Sequence, residues 1–160
     1  MKKQITAVLL AAAILTASLP VFAQDTALSR GDAAQMLLTA ADDYNPDVKK
    51  EDIIKGYEDG ELHEERGVNR AEALVMLKRS FGQLPAPSGH SKRIALTADN
   101  FFDLPDWAVT ELNDVFDAGI AAGTDEDIFS PYEPVTAEQM RLFISRVYAL
   151  FGTNERDDFY

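Results

Sequence analysis

Apolar residues return every three or four positions in four stretches of this chain. Between Arg30 and Ala41, the residues Ala33, Met36, Leu37 and Ala40 share one stripe. Between Arg70 and Phe81, Leu74, Leu77 and Phe81 do the same. From Trp107 to Asp117 the stripe is Ala108, Leu112, Val115 and Phe116, and after Thr136 it is Met140, Phe143, Ile144, Val147, Leu150 and Phe151. A repeat of about 3.6 residues predicts amphipathic helices. A shorter helix is expected over Lys50 to Lys55, with Ile53 and Ile54 facing inward. Pro46 closes the first helix, because it disfavours helical backbone at Asn45. Asp106 reads as the cap of the fourth helix; Gly82, Gly119 and Gly152 read as helix stops. The fold class is therefore all-α.

Three of these helices start in the same way. Ser29 precedes Asp32, Asn69 precedes Glu72, and Thr136 precedes Gln139, each pair three residues apart and each led by an apolar residue (Leu28, Val68, Val135). This is the capping-box arrangement. The cap oxygen takes a free N–H of the first turn, and the acid or amide reaches back to the N–H of the cap. Two of the starts carry an arginine just after the cap, Arg30 and Arg70, where the third has Ala137.

The register repeats as well. Gly56 lies 12 residues before Val68, and Gly123 lies 12 before Val135. Leu62 and Phe129 each follow their glycine by six. Gly56-Tyr57-Glu58-Asp59-Gly60 reads as a turn, since glycine tolerates positive φ and Asp-Gly favours turns. Units of this size cannot bury their apolar faces alone and pack together. The expected organisation is a signal peptide over 1–23, a partial first repeat over 24–46, a second over 47–82, a proline-containing linker over 83–99, a third repeat over 100–152 and a tail over 153–160.

Residues 1–23 have the marks of a secretory signal: Lys2 and Lys3, an apolar run from Ile5 to Leu15, and Val21-Phe22-Ala23 before a cut at Gln24. The two lysines are the only charges removed with it, so the remaining 137 residues carry −14 where the whole chain carries −12. Such an acidic surface repels phosphates and argues against nucleic acid or an anionic membrane as partner. The chain has no cysteine, which excludes disulfides and thiol chemistry.

Metal chemistry has little support. Asp125-Glu126-Asp127 and Glu58-Asp59 lack the spaced calcium loop and its closing glutamate, and solvated acids are the favoured reading. His63-Glu64-Glu65 lacks the second histidine of the zinc-protease helix, and His90 stands in the linker. No cofactor or metal is called for. Nothing places two carboxylates across a cleft, so the chain reads as non-enzymatic.

Taken together these motifs resemble the S-layer homology family. The third unit supplies Phe102 and Leu104 around Asp103, Trp107-Ala108, Gly119-Ile120-Ala121-Ala122-Gly123, Phe129-Ser130-Pro131 and Val135-Thr136. The second supplies Ile54-Lys55-Gly56-Tyr57, Asp59-Gly60 and Asn69-Arg70-Ala71-Glu72, and the first only Ser29-Arg30-Gly31-Asp32. The likeness covers most of 28–152. It implies a pseudo-threefold bundle of three helical repeats joined by turn-rich connectors. Grooves between the repeats would hold an anionic secondary cell-wall polysaccharide, in the family often pyruvylated. This would tether an exported protein to the Gram-positive wall. The ligand role of the motif arginine falls on Arg70 and on Arg30, and has no counterpart at Ala137. A guanidinium suits a carboxylate through two parallel hydrogen bonds, and a helix N-terminus adds free N–H groups.

Trp107 is a candidate for stacking on a sugar ring, with core packing the favoured alternative; Tyr57 and Phe129 pose the same choice. Gly56 and Gly123 are candidate ligand contacts, with a turn role favoured. Ser29, Asp32, Asn69, Glu72, Thr136 and Gln139 read as structural caps. The C-terminal run Asn154-Glu155-Arg156-Asp157-Asp158-Phe159-Tyr160 is similar to the opening of neprilysin-like zinc metallopeptidase domains. Two further readings therefore stand beside wall anchoring. One is an interaction or self-assembly module. The other is the non-catalytic leader of a secreted peptidase.

Overall fold

The computed structural model describes residues 26–85 and 96–157, with side chains to Gly152. The expected signal peptide, most of the linker and the side chains of the tail lie outside the described residues. Among those residues the chain is all-α: α1 (Arg30–Ala41), α2 (Lys50–Ile53), α3 (Arg70–Phe81), α4 (Asp106–Asp117) and α5 (Ala137–Asp157), with one 3-10 turn at Ala98–Asn100.

The helix starts follow from local chemistry. Asn69 accepts from the N–H of Glu72 at 2.9 Å, and Glu72 accepts from the N–H of Asn69 at 3.2 Å. Thr136 and Gln139 do the same at 3.3 and 3.0 Å. The first start differs. Ser29 accepts from the N–H of Asp32, but the Asp32 carboxylate takes the Ser29 hydroxyl at 2.8 Å in place of the backbone N–H. Aspartate is one methylene shorter than the glutamate and glutamine of the other two starts.

Three further expectations change. Asp106 is the first helical residue, and Pro105 stands at the cap without a side-chain bond. α2 stops at Ile53, and Ile54 turns to extended backbone; both isoleucines are buried. α5 runs through Gly152 to Asp157. A helical glycine costs only about 1 kcal/mol against alanine, which the residues on either side can offset. Phe101 rather than Phe102 enters the core: Phe102 is 75% exposed, while Phe101 packs on Phe116 and Phe129 with ring centres 5.1 and 5.7 Å away.

The repeated segments meet at their pre-cap residues, whose main chains hydrogen-bond in a closed ring. Leu28 donates to Val135 at 2.7 Å, Val135 to Val68 at 3.1 Å, and Val68 to Leu28 at 2.8 Å. Single antiparallel bridges flank it at Ala27 with Thr136, Ser29 with Gly67, and Asn69 with Pro134. One step outward the pattern continues. Arg30 donates to the carbonyl of Arg66 and Arg70 to that of Glu133; Gly31 donates to Glu64 and Ala71 to Pro131. In each case the start of one helix docks on the connector that follows in the chain. The core lies around this ring, with Leu37, Ile53, Leu74, Leu77, Phe116, Phe129 and Met140 fully buried.

Candidate functional site

The connector 54–66, helix α3 and the start of α4 enclose an open groove of about 630 Å³. Its position follows from the docking above: Arg30, first residue of α1, is drawn under the connector 54–66. Its Nε and Nη2 donate to the carbonyls of Leu62 and Lys55 at 3.1 and 2.9 Å, and its Nη1 pairs with Glu72 at 2.9 Å. The residue is 5% exposed. Arg30 is therefore bound on all three nitrogens and staples the groove's floor.

Glu72 joins three elements. Besides Arg30 and the N–H of Asn69, it accepts the phenol of Tyr57 at 2.5 Å. Burial, and after it Glu72, raises the Tyr57 pKa above the ordinary phenol value, so this hydroxyl stays a donor. The Tyr57 ring carries two guanidinium groups, Arg30 at 4.7 Å and Arg66 at 5.0 Å, within cation–π range. The ring of His63 lies 5.3 Å away. His63 bonds Asp59 at 2.6 Å and approaches Glu65 at 3.6 Å, and its pKa is raised, chiefly by the Asp59 hydrogen bond.

Trp107, second residue of α4, stands at the rim, 51% exposed, and Tyr132 is 66% exposed. The expected core placement of Trp107 is thus corrected. At the first turn of α4 the stripe of Ala108, Leu112, Val115 and Phe116 faces inward, and Trp107 stands off it. Four cationic residues (Arg30, Lys55, Arg66, Arg79) face two acidic ones (Glu58, Glu72) in the lining. The groove is locally positive on a strongly acidic chain. Gly56 belongs to the lining too, while Arg70 and Gly123 do not.

Arg70 repeats the geometry of Arg30 one connector further on. Its Nη2 donates to the carbonyl of Ala122 at 2.7 Å, the residue before Gly123, as Arg30 does to Lys55 before Gly56. Its guanidinium lies 4.9 Å from the Phe129 ring and 5.5 Å from Phe143. It has no carboxylate partner among the described residues, and its buried Nε has no hydrogen bond there. Burial, then the charge of Arg146, pulls its pKa down. Arg146 itself donates to Ile120 at 2.7 Å. Gly123 is a packing glycine: a Cβ there would lie 2.5 Å from the carbonyl oxygen of Asp125 and 2.6 Å from that of Ile128. Gly56 is less tight, its nearest neighbour being Glu61 O at 3.3 Å.

Several contributors carried no sequence signal. Arg66 and Tyr132 occupy connector positions where the repeated pattern places no fixed residue type, and Arg79 sits among the polar positions of α3. Among the described residues no group of three or more His, Cys, Asp or Glu comes together as a metal site, and no helix is long and apolar enough to cross a membrane.

No family model matches the chain. A stretch of 105 residues, 66% of the chain, is 29% identical to an endoglucanase of Bacillus sp. (strain KSM-635). That stretch is 10% of the endoglucanase, so the chain spans about a tenth of the length of the curated relative it matches.

Proposed function

We propose that this is a non-enzymatic wall-anchoring module of the S-layer homology type, an exported protein that holds an anionic cell-wall polysaccharide. The observation that carries the reading is the groove. Half-exposed Trp107 and exposed Tyr132 offer apolar ring faces for sugars, beside a net positive lining on an acidic chain. The closed ring of Leu28, Val68 and Val135 supports three repeats packed about a pseudo-threefold axis. The similarity to a tenth of an endoglucanase is consistent with an accessory module carried on a larger carbohydrate-active protein.

In this reading the first repeat is incomplete, and Arg30 and Arg70 anchor each repeat onto the next connector. The test is retention of the exported chain on purified sacculi, before and after the secondary polymer is stripped. Polymer-dependent retention that weakens in Trp107→Ala, with the fold intact, is the expected result. A folded wild-type protein that stays in solution with intact sacculi refutes the proposal.

A further inference from the structure

We infer that Arg66 selects the ligand's charge, taking a carboxylate of an acidic sugar by two parallel hydrogen bonds, and that the chain has one such site. The inference rests on the glycan-binding reading above and names the residue that discriminates within that groove.

The other cations of the groove are already engaged. Arg30 is held by Glu72 and two carbonyls. Lys55 donates to the carbonyl of Glu51 at 2.6 Å. Arg79 reaches Glu111 at 3.5 Å. Arg66 is exposed, and among the described residues its side chain makes no hydrogen bond and no ion pair. Yet it is positioned: its guanidinium lies over Tyr57, whose hydroxyl is fixed by Glu72. A guanidinium held over a ring at 5.0 Å by cation–π attraction still has its N–H groups to donate, and their fork fits the two oxygens of a carboxylate. Holding the group in place beforehand reduces the entropy lost on binding.

The Arg66 charge shares one aromatic ring with Arg30, whose own charge Glu72 balances. A bound anion would balance the second. The counterpart of Arg66 in the connector that leads into α5, judged by the carbonyl that receives the preceding helix start, is Glu133. A carboxylate there repels the same ligand, so the two connectors differ in the charge they admit.

The test is calorimetric titration of the exported chain at low salt with cellobiouronic acid, a disaccharide ending in glucuronate, and with neutral cellobiose. Wild type is expected to favour the acidic sugar by about tenfold, with one site per chain. Arg66→Gln should abolish that preference, so that the two sugars bind alike, Arg66→Lys should restore part of it, and added salt should shrink it in wild type. A preference that survives Arg66→Gln, or is absent in wild type, overturns the inference. If sacculi retain the chain but neither disaccharide binds, this inference falls and wall anchoring stands; if sacculi do not retain it, both fall.

Discussion

Arg30→Ala separates a structural arginine from a ligand-binding one. The guanidinium is buried, pairs with Glu72 at 2.9 Å and donates to two carbonyls. Breaking a buried ion pair from one side costs about 3–5 kcal/mol. The lower end applies here, because Glu72 keeps Tyr57 and the N–H of Asn69 as donors and the open groove admits water to the carbonyls. About 3 kcal/mol is a large share of a stability of about 5–15 kcal/mol. At about 4 °C per kcal/mol for a domain of this size, the melting temperature falls by about 12 °C. Thermal unfolding followed by circular dichroism, with urea titration as a second measure, checks this. Arg30→Lys should fall between, since an ammonium can meet Glu72 but cannot reach both carbonyls. Arg70→Ala, at the matching motif position, removes one hydrogen bond, to the carbonyl of Ala122, from a half-buried side chain and should cost only about 1 kcal/mol. An Arg30→Ala protein melting within about 3 °C of wild type would refute the structural assignment.

Three other predictions follow from single contacts. Gly123→Ala drives a methyl into two backbone carbonyls and should cost about 1–3 kcal/mol, while Gly56→Ala costs less than about 1; urea midpoints of the two variants would show the gap. Asp103→Ala strips the acceptor from the N–H groups of Phe129 and Ser130, both at 2.8 Å, and should lower stability by about 2–4 kcal/mol in the same assay. The raised pKa of His63 means that the folded state binds its proton more tightly than the unfolded chain. Its contribution is full below the ordinary histidine value near 6.5 and is lost as pH rises through the raised folded pKa. Melting of wild type against His63→Ala across pH 5 to 9 should therefore show the largest advantage at the acid end; a difference that stays flat across that range would contradict it.

Local rules made much of this fold readable. Ser29, Asn69 and Thr136 cap where their spacing to residues 32, 72 and 139 requires, because a cap oxygen and the N–H it takes lie within one helical turn. The stripes through Leu74, Leu112 and Val147 are buried because helical period fixes which side chains share a face. The equal spacing from Gly56 to Val68 and Gly123 to Val135 reflects two connectors that present matching carbonyls, at Lys55 and Ala122, to the preceding arginine.

What lay beyond the sequence are the contacts between segments far apart in the chain. The ring of Leu28, Val68 and Val135 is made of backbone groups, which every residue but proline carries, so no side chain announces it. Arg30 read as a candidate ligand residue because its type and position match the motif. Only the fold brings Glu72, 42 positions later, against it. Trp107 read as core because a large apolar side chain usually is; its position at the first turn of α4, off the inward stripe, leaves it on the groove instead. Arg66 was one charge among many until Tyr57 came beneath it. Residue type and spacing determined the helices and their starts, since those depend on neighbours within a turn. Which guanidinium is neutralised and which is left free was decided by tertiary packing, because charge balance depends on distance in space.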